Sequence, residues 1–139
     1  MMDENSESGC LELAHTADWS LKVWAPDLLR LFKAAAQGMY GLMEIERADN
    51  RRTTIPLELE AIDGESLLVA FLNELLYLNE EQGLAFDRFD LVIEHNRIRG
   101  ILHGAAVKRQ RKEIKAVTFH DLEILFLNGR FETTIVFDV

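Results

Sequence analysis

The spacing of apolar residues predicts two short strands near the start of the chain and a helix after them. Residues 11–14 and 20–25 are rich in apolar residues, and the second segment alternates apolar and polar positions as a half-buried strand does. Pro26 and Asp27 indicate the start of the helix, with the proline in the first turn, where its missing N–H costs little. The apolar stripe of this helix, at i, i+3 and i+4 spacing, consists of Leu28, Phe32, Ala35, Ala36, Met39 and Met43.

A second helix is predicted to follow a turn at residues 63–66, with Asp63 or Ser66 as its N-cap. Its apolar residues cover more than half of its circumference, so we expect it to be the most buried element of the fold. Asn73 lies among them and could be a surface residue or one that supports a site. The apolar set is Leu67, Leu68, Phe71, Leu72, Leu75, Leu76 and Leu78.

Much of the remaining sequence alternates with the period of a strand. Residues 48–52 are interpreted as a charged loop, and residues 54–61 as a strand that Pro56 places at the edge of a sheet. Further strands are predicted over residues 86–94, 97–104, 113–120, 122–127 and 130–139, with turns at His95-Asn96 and Asn128-Gly129. The expected fold class is therefore α+β, a single compact domain with two helices packed on a largely antiparallel or mixed β-sheet.

Length and charge narrow the possible functions. A chain of 139 residues suits one domain, which we place at residues 10–139, after an acidic tail at residues 1–9 that is expected to be disordered. The net charge of −9 argues against broad binding to nucleic-acid phosphates. The single cysteine, Cys10, and the lack of an apolar run of about 20 residues predict a cytoplasmic protein without a membrane segment. The basic run Lys108–Lys112 is either a solvated loop or a docking patch for an acidic protein or RNA.

Candidate chemistry is concentrated in carboxylates. The sequence has no phosphate-binding glycine loop, no Cys-x-x-Cys and no histidine pair at zinc-binding spacing. Asp18 lies between the first two predicted strands, and Asp138 lies next to the terminal carboxylate. Clustered carboxylates repel one another unless a cation or a basic residue lies between them, and hard oxygen ligands favour Ca²⁺, Mg²⁺ or Mn²⁺. We therefore hypothesise that Asp18 and the Asp138 end of the chain hold a divalent cation, although either acid alone is more typical of a surface or a turn.

The segment Lys115–Ile124 has polar and apolar residues mixed on both faces of a predicted strand. A strand with one solvent-facing side at a sheet edge has this pattern, and so does the rim of a functional site. The pattern leaves both interpretations open.

Five motifs in order resemble the archease family, over a span from about Leu11 to the last residue. They are His15-Thr-Ala-Asp18, Met39-Tyr-Gly-Leu-Met43, the stretch from Ser66 to Tyr77, Lys115-Ala-Val-Thr-Phe-His-Asp-Leu-Glu-Ile124 and the final Val136-Phe-Asp-Val139. The segment before the lysine motif differs from the pattern of the family. Where members commonly carry an acidic Gly-Glu element and a longer loop, this chain has His103-Gly-Ala-Ala106 and a short basic run.

The resemblance implies a small α+β protein that activates RtcB-type RNA-splicing ligases without performing the ligation itself. Such activators promote guanylylation and multiple turnover of the ligase, so RNA is reached only through the ligase. The implied metal ligands are Asp18, Asp138 and a terminal oxygen of Val139. The lysine that opens the Lys-Ala-Val-Thr motif, Lys115, is implicated in function. The predicted partner-facing rim consists of His15, Lys115, Thr118 and His120.

Two other functions remain open. One is a chaperone-like modulator of tRNA-modifying enzymes such as tRNA methyltransferases, an activity that the resemblance also implies. The other is a metal-dependent hydrolase, which the absence of a clear nucleophile–base pair beside the proposed site disfavours.

Overall fold

The computed structural model describes residues 7–13 and 19–139. Its elements are β1 (Gly9–Leu13), β2 (Trp19–Ala25), α1 (Leu28–Met43), β3 (Ile45–Glu60), α2 (Gly64–Gln82), β4 (Leu84–Glu94), β5 (Arg97–Gln110), β6 (Ala116–Thr118), β7 (Leu125–Leu127) and β8 (Arg130–Asp138).

The described strands form two antiparallel sheets rather than one. Sheet A has the order β1-β2-β8-β6, with β7 also paired to β8, and sheet B has the order β3-β5-β4. The two helices pack on these sheets around a single apolar core. The predicted α+β class with two helices on antiparallel strands is confirmed. The division into two sheets arises because the strands from the two ends of the chain pair with each other, whereas the middle strands pair among themselves.

Helix α1 begins at Leu28, two residues after the predicted start at Pro26. Asp27 is its N-cap, and the Asp27 carboxylate accepts a hydrogen bond of 2.8 Å from the Arg30 N–H. Pro26 therefore precedes the cap instead of lying in the first turn. The apolar stripe faces the core, where Phe32 and Met39 are fully buried.

Helix α2 is capped by Asp63, whose carboxylate accepts a hydrogen bond of 2.7 Å from the Ser66 N–H. This bond and a second one from the Ser66 side chain lower the pKa of Asp63. All seven apolar residues predicted for the helix are buried. At its centre the Phe71 ring lies 5.6 Å from the Phe32 ring and 6.1 Å from the Phe89 ring, so it joins both helices to sheet B.

Sheet B contains a segment that the sequence suggested was a loop. Residues 48–52 belong to β3, which is continuous but changes register with β5 between Arg47 and Arg52. The two arginines hold this stretch against β4, because Arg47 donates to the carbonyls of Ala85 and Phe86 and Arg52 pairs with Asp87. Pro56 does lie on an edge strand, as predicted.

The C-terminal strands of sheet A are shorter than predicted. Of residues 113–120 only 116–118 form a strand, and of residues 122–127 only 125–127 do. Both strands pair with the same edge of β8, one after the other, so the chain must turn away between them. That turn is marked by a hydrogen bond of 3.1 Å from the Leu122 N–H to the Phe119 carbonyl.

The N-terminal tail is shorter than predicted in the part that the structure describes. Gly9 is already the first residue of β1, and the Glu7 carboxylate lies 2.7 Å from the Arg30 guanidinium. Residues 1–6 lie outside the described residues. Among the described residues, no helix is long and apolar enough to cross a membrane.

Candidate metal and partner-binding site

The C-terminal end of β8 lies between β2 and β6. Phe137 is opposite Trp19 on one side and Val117 on the other, and Asp138 is opposite Ala116. The Lys115 N–H donates a hydrogen bond of 2.8 Å to the Asp138 carbonyl. Antiparallel pairing therefore places Lys115 and Asp138, which are far apart in sequence, side by side at one end of sheet A.

A side chain of α2 holds β6 in this position. The Asn73 Oδ1 accepts a bond of 2.9 Å from the Val117 N–H, and the Asn73 Nδ2 donates one of 3.3 Å to the Val117 carbonyl. A side-chain amide offers one acceptor and a donor, as a peptide group does, so Asn73 replaces a neighbouring strand. The only sequence signal for this role is a polar residue within the apolar surface of a helix.

The same helix also holds the turn after β6. The Glu65 carboxylate accepts a bond of 3.0 Å from the Ile124 N–H. Glu65 and Asn73 are eight residues apart on α2, which places them two turns apart on nearly the same face of the helix. This face fixes the whole segment from β6 to the start of β7.

The predicted metal ligands are only partly within the described residues. Asp138 and Val139 are both exposed, and Asp138 forms no ion pair with any described residue. His15 and Asp18 belong to residues 14–18, which lie outside the described part of the chain. Within residues 7–13 and 19–139 no group of three or more His, Cys, Asp or Glu side chains comes together. The carboxylate oxygens of Asp138 and Val139 are of the hard type that divalent cations prefer, but among the described residues they are not joined into a metal site.

Two lysines lie near this end of sheet A, and one of them is paired with a carboxylate of the same chain. Lys115 is exposed and pairs with no carboxylate among the described residues. The Lys112 ammonium lies 5.2 Å from the centre of the Trp19 ring and 3.3 Å from the Glu44 carboxylate. Positive side chains beside exposed carboxylates can contact the phosphates or the acids of a partner.

The other two predicted rim residues have different surroundings. The Thr118 hydroxyl donates a bond of 3.3 Å to the Val136 carbonyl, so it supports the pairing of β6 with β8. His120 lies beyond the opposite end of β6 from Lys115, with its Nε2 3.0 Å from the Asp121 carboxylate. The structure therefore groups Lys115, but not His120, with Asp138.

The basic run at residues 108–112 is partly strand and partly loop, and its four basic side chains are exposed. Its first three residues extend β5, and the N–H groups of Arg111 and Lys112 both donate to the Met43 carbonyl at the end of α1. Positive side chains are favourable at this negative end of a helix. The carboxylates of Glu44 and Glu46 form ion pairs with four cations of the run, which are Lys108, Arg109, Arg111 and Lys112. Much of the positive charge of the run is therefore balanced by carboxylates of the same chain.

Comparisons with known proteins agree on one family. The model of the Archease protein family matches residues 11–139. The chain is 34% identical to the protein archease of Pyrococcus furiosus over 134 residues, covering 90% of this chain and 94% of the relative. It is 32% identical to the protein archease of Methanothermobacter thermautotrophicus over 135 residues, covering 89% and 94%.

Two solved structures share the fold. A crystal structure from Thermotoga maritima, described as an archease and possible chaperone, has a TM-score of 0.70 at 23% identity and covers 91% of this chain and 94% of that one. A solution structure of a Methanobacterium thermoautotrophicum protein has a TM-score of 0.70 at 27% identity, with 94% and 99% covered.

Proposed function

This chain belongs to the archease family, and we propose that it is a non-enzymatic, divalent-cation-binding activator of an RtcB-type RNA-splicing ligase. The observation that carries the proposal is the backbone hydrogen bond from the Lys115 N–H to the Asp138 carbonyl at the exposed end of β8. It joins the lysine motif and the terminal acidic motif, both of which the resemblance associates with function, in one small surface.

The proposed cation ligands are Asp18, Asp138 and an oxygen of Val139. Trp19 and Phe137 are opposite each other in sheet A, and Asp18 and Asp138 are their direct neighbours in the chain. Asp138 therefore lies at the end of sheet A where the described part of β2 begins. The proposal takes Asp18 as the second acid from the resemblance, since that residue lies outside the described part of the chain.

When bound, a divalent cation at this place supplies positive charge beside the phosphates of GTP during nucleotidyl transfer in the ligase. Asp138, at the end of β8, would hold such a cation. Lys115 adds a second positive group, which contacts a phosphate or a carboxylate of the ligase. The chain has no need of a nucleophile in this role, because the covalent chemistry belongs to the ligase.

The test compares Asp18→Ala and Asp138→Ala with Asp49→Ala, in which the acid removed is exposed and lies on sheet B. Guanylylation of a ligase from the same organism is measured with each variant over a Mn²⁺ titration, and Mn²⁺ binding is measured by calorimetry. We expect the two site variants to lose activation and Mn²⁺ binding while keeping the wild-type circular dichroism. Acceleration by both site variants would show that the cation proposal is wrong.

A second candidate is a chaperone-like modulator of RNA-modifying enzymes such as tRNA methyltransferases. Exposed apolar side chains favour it, since Phe126 is 60% exposed and Leu127 is 47% exposed. In that case suppression of the aggregation of a client methyltransferase survives the loss of both aspartates. Light scattering with the same variants separates the two functions.

A further inference from the structure

Strand β7 exposes three large apolar side chains in succession. Leu125, Phe126 and Leu127 are 42%, 60% and 47% exposed, although nearly every other apolar strand residue of this chain has one face in the core. A run of exposed apolar residues is unfavourable in water unless another surface covers it. Among the described strands, β7 pairs with β8 alone, which leaves its outer side uncovered.

The charges around these leucines are mostly negative. Leu125 and Leu127 line a cleft of about 270 Å³ together with Asp121, Glu123 and Glu132. The one cation in the cleft wall, Lys22, has its ammonium 3.8 Å from the Glu132 carboxylate. The lining thus combines an apolar floor of two leucines with three acids and one cation. Glu132 also pairs with Arg130, and Asp121 lies 3.0 Å from the His120 Nε2, so Glu123 is the acid of the cleft without an ion pair among the described residues.

We propose that this cleft on the β7–β8 hairpin binds a lysine or arginine of the partner ligase, carried on a segment with apolar side chains that cover β7. The aliphatic stem of such a residue fits against Leu125 and Leu127, and its charged end reaches Asp121 and Glu123. The identity of the partner rests on the proposed function above. The chain's net charge of −9 adds a long-range attraction for a basic segment.

The other large exposed face has a weaker bias in charge. A cleft of about 640 Å³ on the outer face of sheet B is lined by Val92, Glu58, Asp90 and Arg99 among others, which is an excess of one carboxylate. Charges on that face are paired, as in Asp90 with Arg88 and Arg99 with Glu94. We therefore expect it to attract a basic segment less strongly, and it provides control positions.

The experiment measures ligase binding and ligase guanylylation separately. The variants are Leu125→Ala with Leu127→Ala, which shortens the apolar floor, and Glu123→Lys, which reverses an exposed charge. The controls are Val92→Ala and Glu58→Lys on sheet B, and Asp138→Ala at the proposed cation site. Binding is followed by calorimetry against the full-length ligase at two salt concentrations, and folding by circular dichroism.

We expect the cleft variants to raise the Kd for the ligase at least about tenfold, as loss of an anchor residue does. Excess cleft variant should still restore guanylylation, because the cation site is intact. Asp138→Ala should bind normally without activating. Added salt should weaken wild-type binding more than binding of Glu123→Lys.

Each other result has a distinct meaning. Wild-type binding by both cleft variants, or a loss confined to the sheet B controls, overturns the docking proposal and leaves the proposed function standing. If the cleft variants lose binding but the wild-type chain does not activate the ligase, the proposed function is wrong and the docking proposal stands. A wild-type chain that binds no ligase overturns both.

Discussion

Sheet B is assembled from strands that are close in sequence, whereas sheet A joins the two ends of the chain. In sheet B a two-residue turn connects β4 with β5, and both turn residues, His95 and Asn96, have positive φ, as a tight hairpin requires. In sheet A the central pair is β2 with β8, and the short β6 depends on side chains of α2. The proposed site thus lies in the sheet with fewer backbone contacts of its own. Its geometry is set by tertiary packing.

The substitution with the largest expected effect on the unfolding free energy tests whether the two sheets unfold as one unit. Phe71→Ala removes the ring that contacts both Phe32 and Phe89, and should cost about 3–5 kcal/mol of unfolding free energy. Trp19 and Trp24 both lie in β2, so tryptophan fluorescence reports on sheet A, and far-ultraviolet circular dichroism reports on all elements. In urea, both signals should shift together.

The control for that substitution is Tyr77→Ala on the same helix, where the side chain is 56% exposed. It should change the unfolding free energy by no more than about 0.5 kcal/mol. If Phe71→Ala shifts the circular dichroism transition but not the fluorescence transition, the two sheets are independent units, and the shared core does not couple them.

The substitution with the second-largest expected effect tests whether sheet A can be destabilised with little change in sheet B. Asn73→Ala leaves the Val117 N–H and carbonyl without their partner and should cost about 1–3 kcal/mol. The loss should fall on sheet A, with faster hydrogen exchange at the Val117 amide and little change in sheet B. Asn79→Ala is the matched control, because Asn79 on the same helix bonds Gln110 of sheet B at 3.0 Å. Equal exchange rates at Val117 in both variants would contradict the role of Asn73.

The same comparison explains how far the sequence could predict the fold. Local patterns were sufficient for the buried face of α2, for the edge position of Pro56 and for the turn at His95-Asn96. They could not predict the division into two sheets, since the pairing of β2 with β8 joins segments at opposite ends of the chain. The extension of β5 into the basic run pairs with Ile45 and Glu46 of β3, which are far away in the sequence.

The candidate site was predictable in its parts but not in its arrangement. Lys115 and Asp138 were both identified from the motifs, yet only the register of β6 with β8 shows that they are neighbours. The same register separates His120 from them, because the chain turns after Phe119. Asp18 stays a prediction, since it lies outside the described residues. The sequence marks Asn73 only as a polar residue within the apolar surface of α2, and it does not identify the partner, which is 44 residues away.

The smallest expected effect on stability comes from the N-cap of α2, the helix that packs on both sheets. Asp63 caps α2, and bonds from the Ser66 N–H and side chain hold its pKa below that of an unfolded aspartate. A group with a lowered folded pKa stabilises the fold fully above its unfolded value, near pH 4, and that contribution is lost as the pH falls through the folded pKa. Asp63→Asn keeps the capping oxygen but not the charge, which also interacts favourably with the helix N-terminus.

The wild-type chain should therefore be more stable than Asp63→Asn at pH 7, and the difference should shrink steadily below about pH 4. Urea unfolding of both chains at pH 7, 5 and 3 measures it, with fluorescence and circular dichroism recorded together. Because α2 supports sheet A through Asn73 and Glu65 and sheet B through Phe71, both signals should change in parallel. A difference that stays constant down to pH 3 would assign the effect to the hydrogen bond and not to the charge.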